Sequence, residues 1–342
     1  MNPSWWPSAA DAPSGRSASA PAVAAPAAPR RVRVGMPQLD AGGLSEGWLL
    51  REAGDRHWEA ITRRLDVATD QICSDAGERL YPTVVALRAR YDAPLAAVRE
   101  NQVIDLAAEV VPCGRACAHG RAVATVDIGT GPAAARTRFS VELLTSFAAR
   151  TAAGGLRTTV PAPHLARRWG PVGFEPAIAA IARAARRGEP IAGADADADV
   201  FVGPVLENTD APLAEIDYEP SPYADYNGAG LLYFAAYVTI ADTLERRMVR
   251  RLWLDGGLPG AGARDWALAT STVRRDVFYY DNLPLGADLR AGLISFTRDR
   301  QGVTTRLRFS RAEAGAEGDA RRAMADVVTR RIFVEGGERT PP

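Results

Sequence analysis

The chain has 342 residues, of which 47% are hydrophobic and 24% are charged. This composition is ordinary for a globular protein, and the length predicts two domains or one large one. The 41 basic and 41 acidic residues cancel, so no net positive charge is available to attract nucleic acid or an anionic membrane, and we expect neither as a partner. No apolar run approaches the roughly 18 residues that a membrane-spanning helix needs.

All 41 basic residues are arginine, which excludes Schiff-base chemistry and the P-loop lysine, since both need a primary amine. Codon preference in a GC-rich genome explains this bias. Cys113, Cys117 and His119 lie close together in the sequence, but a zinc site wants a fourth ligand at similar spacing, and the chain has no second Cys/His cluster. We therefore expect no metal site.

Composition predicts how the chain is divided. Residues 1–31 are rich in Ala, Pro and Ser and are predicted to be disordered, because they cannot bury enough apolar surface. The first arginine is Arg16, and prolines interrupt the residues around it. This does not resemble an export signal, so we expect a cytoplasmic protein. Residues 186–199 lack a hydrophobic period and are predicted to link a first unit, 32–185, to a second, 200–335.

The two units resemble each other. Each begins with an aspartate, Asp40 or Asp225, shortly before a glycine-containing turn and an amphipathic helix, within residues 39–61 and 223–247. About fifty residues later each has an alternating strand that ends in Tyr-Asp, at Tyr91 and Tyr280, with Pro-Leu soon after. Both units continue with further alternating segments. Each unit is therefore predicted to be α+β, with one long helix wrapped by a curved antiparallel sheet.

The order of strand, Asp, Gly turn, helix and antiparallel strands is that of the hot-dog fold, and two copies predict a double hot-dog fold. Four strings carry a closer resemblance: MPQLDAGGLSEGWLLREAGDRHW, LYPTVVALRARYDAPL, YNGAGLLYFAAY and RRDVFYYDNLPLGADL. With them, most of residues 32–333 resembles the bifunctional acyltransferase/decarboxylases of polyketide biosynthesis, the leinamycin-pathway type.

The resemblance implies an enzyme that takes a methylmalonyl-CoA-like thioester, decarboxylates it, and moves the acyl group to the phosphopantetheine of an acyl carrier protein. It implies no metal or organic cofactor, and an active site centred on a tyrosine of the first unit. The matching residue is Tyr81 in RLYPTV, with Tyr91 nearby. Tyr81 could carry the acyl group as a phenyl ester. It could instead donate a hydrogen bond to the thioester oxygen, a role that needs no deprotonation of a phenol with a pKa near ~10.

The glycine turns before the two helices are candidate binding elements. Their glycines allow a ligand to approach backbone N–H groups at a helix N-terminus, or they only form a tight turn. Ser45 and Asn227 are the neutral polar residues of the two turns, and each could bind substrate oxygen or simply cap its helix. The predicted substrate-binding residues are Gly43, Ser45, Asn227 and Gly228.

Two other functions remain open. A hot-dog thioesterase would use Asp40 or Asp225 to activate water, and a non-catalytic module would bind an acyl carrier without turnover. Dehydration is disfavoured, because neither turn contains a histidine. Arginine pairs at 246–247 with 250–251, and at 321–322 with 330–331, could dock an acidic carrier protein or be ordinary solvated surface. The sequence allows a monomer or a homodimer.

Overall fold

The structure is a computed structural model. It describes residues 29–129, 135–151, 155–170, 174–189, 206–207, 211–254, 269–312 and 323–334. Most of the predicted N-terminal tail (1–28), most of the predicted linker (190–199), and Arg321 with Arg322 lie outside these described residues.

The described part of the first unit contains a long helix, α1 (Glu46–Leu65), and two shorter ones, α2 (Pro163–Trp169) and α3 (Ala177–Arg186). Its strands are β1 (Arg30–Arg33), β2 (Leu39–Asp40), β3 (Gly43–Leu44), β4 (Leu80–Tyr91), β5 (Val103–Pro112), β6 (Cys117–Ile128), β7 (Ala135–Arg150) and β8 (Leu156–Thr158).

The described part of the second unit contains one long helix, α4 (Phe234–Leu254). Its strands are β9 (Leu206–Glu207), β10 (Ala214–Tyr218), β11 (Thr270–Tyr279), β12 (Leu289–Arg298), β13 (Gly302–Arg311) and β14 (Ala323–Phe333).

Local sequence explains these elements. In β6 every second residue is buried, the period of a strand with one face on a core. Helix α1 begins where the Ser45 hydroxyl accepts a hydrogen bond from the Trp48 amide at 3.4 Å, and it ends at Asp66 in the left-handed conformation. Between these caps, buried residues recur at helical spacing, from Leu49 to Leu65, so one face of α1 enters the core.

The strands of both units form one antiparallel sheet in the order β1-β5-β6-β7-β4-β11-β14-β13-β12-β10. The units join where β4 pairs with β11, over five residue pairs whose central pair is Arg88 with Asp276. On either side of this pair the strand order repeats, since β7, β6, β5 and β1 correspond to β14, β13, β12 and β10. The molecule therefore has an internal two-fold relation, as the repeated sequence pattern predicts.

The two long helices lie on one face of this sheet and share a core to which both units contribute. The sequence repeat aligns Tyr91 with Tyr280, but the central pairing of Arg88 with Asp276 relates Tyr91 to Tyr279, one residue earlier. These two tyrosines show how closely the halves correspond. Each hydroxyl donates to the first residue of its own unit's helix, to Glu46 Oε1 at 3.0 Å and to the Phe234 carbonyl at 2.8 Å. Residues at equal positions in α1 and α4 can therefore be compared directly.

The predicted boundaries differ slightly from the observed ends of elements. Arg30 and Arg31, placed in the tail by the sequence, pair with β5, and the Arg30 guanidinium lies 2.9 Å from Glu52. Arg186, placed in the linker, is the last residue of α3 and donates to the Tyr280 carbonyl at 3.0 Å. Pairing with β5 therefore starts the first unit two residues earlier than its composition predicts, and the apolar period of α3 ends it one residue later.

Candidate active site

A cavity lies where β4 and β11 separate. The two strands pair only from Ala86 to Arg90 on β4, whereas β4 pairs with β7 along its whole length. In the gap beside the first part of β4 is a cavity of about 90 Å³. Its walls come from the middle of α1, the start of β4, the segment that leads into α4, and the end of β11.

Tyr81 lines this cavity from the outer face of the sheet. Its neighbour Leu80 packs with Ile61 and Leu65 of α1, and successive residues of a strand point to opposite faces. Tyr81 pairs with Ala148, which belongs to the cluster under α3 on the outer face. The Arg79 guanidinium lies 5.0 Å from the centroid of the Tyr81 ring. The predicted catalytic tyrosine is thus brought to the cavity, beside a cation.

Asn227 also lines the cavity and shapes the loop before α4. Its side-chain oxygen accepts hydrogen bonds from the amides of Ala229 at 3.0 Å and Leu231 at 3.1 Å. Arg150, from the end of β7, donates to the Ala229 carbonyl at 2.7 Å, so the first unit fixes this loop of the second. Gly228 lies in the same loop, is exposed, and is outside the cavity lining.

The N-terminus of α4 meets the cavity at Tyr233 and Phe234. The segment before the helix is held by two hydrogen bonds, from the Tyr233 amide to the Asp225 carbonyl at 2.7 Å and from the Leu232 amide to Asn282 Oδ1 at 3.1 Å. The first-turn amides of a long helix, together with its dipole, favour a negatively charged oxygen. This end of α4 can therefore receive the oxygen of an acyl thioester.

His57 forms part of the α1 wall, a residue to which the sequence assigns no role. Its Nε2 lies 3.0 Å from Thr145 Oγ1, and a Cβ on Gly120 would lie 1.9 Å from its Nδ1. Burial, and then the nearby His119, lower the pKa of His57 to about 3, so the imidazole is uncharged at neutral pH. In the sequence, the only indication that His57 points inward is its four-residue spacing from Ala53 and Ile61 on the buried face of α1.

Three of the four predicted binding residues do not line the cavity: Gly228 in the loop before α4, and Gly43 and Ser45 beside α1. Gly43 has a φ of 110°, and a Cβ there would lie 2.4 Å from the Leu95 carbonyl oxygen. Ser45 caps α1 through Trp48. Neither residue lines the cavity. The geometry does not support substrate contact by either residue. Close packing against the Leu95 backbone accounts for Gly43, and capping of α1 accounts for Ser45.

The two carboxylates proposed for a thioesterase are also outside the cavity lining. Asp40 is exposed and accepts a hydrogen bond from the Gly42 amide at 2.7 Å. Asp225 is buried and accepts from the Tyr218 hydroxyl at 2.9 Å and from the Ser221 amide at 2.8 Å. Both therefore organise turns.

The carboxylate that does line the cavity is Asp281, next to Asn282. The Asn282 amide donates to Asp281 Oδ1 at 2.8 Å, which turns the chain at the end of β11. Asp281 belongs to the repeated Tyr-Asp pair, so the sequence pattern marked it without assigning it a function.

The position that the internal two-fold relates to the cavity is filled by ion pairs. The ninth and twelfth residues of the helices are Gly54 and His57 in α1, but Asp242 and Glu245 in α4. Arg275 is fully buried, and its Nη2 lies 2.5 Å from Glu46 Oε2 and 2.9 Å from Asp242 Oδ1. Arg331 also bonds to Asp242. Charged side chains thus occupy the space that corresponds to the cavity.

Two other kinds of feature are absent from the residues that the structure describes. Within the described ranges, no helix combines the length and apolarity that crossing a bilayer requires. In the same residues, no three His, Cys, Asp or Glu side chains come together as a metal site would need.

No protein-family model matches the chain, and no curated protein sequence matches it. Solved structures do. One, from Lactobacillus plantarum and described as a putative oleoyl thioesterase, is 13% identical, with a TM-score of 0.53 over 90% of this chain and 95% of its own. The 12:0-ACP thioesterase from Umbellularia californica is 10% identical, with a TM-score of 0.52 over 90% of this chain and 94% of its own. The predicted double hot-dog fold is confirmed.

Proposed function

We propose that this protein is an enzyme that acts on acyl thioesters. More specifically, it decarboxylates a methylmalonyl-type CoA thioester and transfers the resulting propionyl group to the phosphopantetheine thiol of an acyl carrier protein. The observation that carries the proposal is the convergence of Tyr81, Asn227 and the α4 N-terminus on one cavity. The shared fold with thioesterases and the sequence resemblance to acyltransferase/decarboxylases support it.

Decarboxylation breaks the bond between the α-carbon and the carboxylate. CO₂ leaves, and the electron pair passes through the α-carbon to the thioester oxygen as an enolate, which then takes up a proton. Donors placed at that oxygen lower the barrier, and the Phe234 amide at the start of α4 and the Tyr81 hydroxyl are suitable donors. The uncharged His57 imidazole adds no cation that would stabilise the carboxylate before it leaves.

The size of the cavity favours a short acyl group. At about 90 Å³ it is smaller than the ~150 Å³ cavity that accommodates benzene in another protein. An oleoyl or twelve-carbon chain has many more heavy atoms than benzene and is too long for such a space, so a short acyl group is favoured. This supports a substrate that differs from those named for the two similar structures.

Acyl transfer to a carrier requires a thiol to attack the acyl carbonyl while the CoA thiolate leaves. Tyr81 either donates to the carbonyl oxygen during this attack or first accepts the acyl group on its own oxygen. The carrier itself would be acidic, and Arg246, Arg247 and Arg250 are exposed along α4. These arginines are the surface we propose for its docking.

A second candidate function is hydrolysis of the thioester, because Asp281 lines the cavity and a carboxylate can activate water. In that case the acyl group leaves as a free acid and no carrier is needed. A third outcome, binding without turnover, would leave the substrate intact.

One experiment separates these functions. The full chain is mixed with methylmalonyl-CoA and a phosphopantetheinylated carrier protein, and both small molecules and carrier are analysed by mass spectrometry. Propionyl-carrier together with released CO₂ supports the proposal. Free methylmalonate or propionate with an unmodified carrier supports the hydrolase, and unchanged substrate contradicts both enzymatic functions.

A further inference from the structure

Tyr237, one turn into α4, has a buried hydroxyl for which the described residues provide no hydrogen-bond partner. The side chain is 2% exposed and lines the cavity. Its ring packs edge-on against Tyr279 and Phe309, with centroids at 5.4 and 5.6 Å. Burying a hydroxyl without a partner destabilises a folded protein, so its presence calls for a reason outside the packing.

The other half of the molecule shows that the fold does not require this hydroxyl. Tyr237 is the fourth residue of α4, and the fourth residue of α1 is Leu49. Leu49 is fully buried, so an apolar side chain fills the related position. The difference accompanies the cavity, which lies beside Tyr237, whereas ion pairs around Glu46 fill the position that the internal two-fold relates to it.

The hydroxyl is also kept in its donor form. Burial, followed by the charge of Asp281 and by Tyr226, raises the pKa of Tyr237 well above its ordinary value. A phenol that stays protonated at every physiological pH can donate a hydrogen bond without adding charge to the cavity.

We propose that the Tyr237 hydroxyl donates a hydrogen bond to the carboxylate of a malonyl-type acyl group and thereby selects such groups over plain acyl groups. This inference rests on the proposed function. Phe234, the first residue of α4, lines the cavity and its amide suits the thioester oxygen, and Tyr237 lies three residues further along the helix, about 4.5 Å deeper. The carboxylate is the oxygen acceptor that a methylmalonyl group carries beyond its thioester.

The position also suits loss of the carboxylate as CO₂. Tyr237 is a neutral donor and does not form an ion pair that would stabilise the charged reactant. Asp281 also lines the cavity, and its negative charge opposes that of a bound carboxylate. That repulsion is relieved when uncharged CO₂ departs. A plain acyl group would leave the Tyr237 hydroxyl unpaired, which gives the site its selectivity.

The test compares the wild-type protein with Tyr237→Phe, which keeps the ring and removes the hydroxyl. Binding of two CoA derivatives is measured by calorimetry: an analogue of methylmalonyl-CoA whose thioester is replaced by an amide, and propionyl-CoA, which lacks the carboxylate. We expect the variant to bind the carboxylate-bearing analogue roughly 10- to 100-fold more weakly. We expect propionyl-CoA to bind as before, and the melting temperature to stay the same or rise.

Tyr91→Phe is the matched control, because the Tyr91 hydroxyl has a partner, Glu46, and lies outside the cavity lining. Its melting temperature should fall while both affinities stay unchanged. Equal weakening of both ligands by Tyr237→Phe, or no weakening of either, would refute the role of Tyr237 while leaving the proposed function intact. If the wild-type protein binds neither ligand, the proposed function fails and this inference fails with it.

Discussion

Replacing Arg275 with Met tests whether ion pairs stabilise the position that the internal two-fold relates to the cavity. Arg275 is fully buried, and its guanidinium contacts Glu46 of α1, Asp242 of α4 and, at 2.8 Å, the Thr329 hydroxyl of β14. It therefore joins the two helices and the sheet. Met preserves most of the side-chain volume but leaves two carboxylates without this partner.

The expected loss is about 3–5 kcal/mol of unfolding free energy, the usual cost of an uncompensated buried charge. The exposed pair of Arg290 with Asp217 provides a contrast, since its side chains are 25% and 54% exposed. There, Arg290→Met should cost at most ~1 kcal/mol. Adding Glu46→Gln to Arg275→Met should restore part of the loss, because the buried Glu46 charge is the one left without a cation, while Asp242 keeps its bond to Arg331.

The measurement is urea denaturation of the variants at neutral pH and under acidic conditions. Burial alone would raise the pKa of Asp242, but its ion pairs with Arg275 and Arg331 outweigh burial and lower that pKa below 3.8. The pair therefore stabilises the fold above about pH 3.8, and this contribution disappears as the pH falls further. The difference between wild type and Arg275→Met should narrow in that acidic range. A loss under ~1 kcal/mol at neutral pH would show that no buried charge has been stranded.

Three further variants probe single contacts. Tyr81→Phe should keep the melting temperature, while decarboxylation, measured as CO₂ release, slows about 10²–10³-fold, as when one oxyanion donor is removed. A near wild-type rate would exclude Tyr81 both as a hydrogen-bond donor and as the residue that accepts the acyl group. Gly120→Ala should lower stability in thermal unfolding by roughly 1–3 kcal/mol, since its Cβ would lie 1.9 Å from His57 Nδ1, and an unchanged melting temperature would contradict that packing. Burial raises the pKa of Glu245 above 4.5, so the ionised carboxylate destabilises the fold once the pH rises through that range. The unfolding free energy of Glu245→Gln should therefore exceed that of the wild type by ~1 kcal/mol at about pH 7 and match it at about pH 4. Equal gains at both pH values would contradict this effect of burial.

The sequence predicted the fold in considerable detail because its periods are clear. The helical spacing within residues 39–61 and 223–247 corresponds to α1 and α4, and the alternating segments correspond to β6, β7, β12 and β13. The turn at 299–302 joins β12 to β13. These elements were predictable because backbone geometry alone sets which side chains of a helix or a strand share a face. Tyr81 and Asn227 were also predicted, and both lie at the cavity.

The sequence could not predict which of the two positions related by the internal two-fold holds the cavity. Its two halves share the Asp, the glycine turn and the helix, so Gly43 and Ser45 were as good candidates as Asn227. The choice depends on contacts between residues far apart in the chain, above all those of Arg275 with the carboxylates of both helices. The spacing of Tyr237 indicates that it is buried, but only the assembled core shows that its hydroxyl lacks a partner among the described residues.

The most direct test of the proposed function is a crystal structure of the protein with the amide analogue of methylmalonyl-CoA. We expect the acyl group in the gap between β4 and β11, with its carbonyl oxygen at the first turn of α4, Tyr81 beside it, and its carboxylate at Tyr237. An acyl group bound near Glu46, at the position that the internal two-fold relates to the cavity, or on the protein surface away from this gap, would contradict the proposed site.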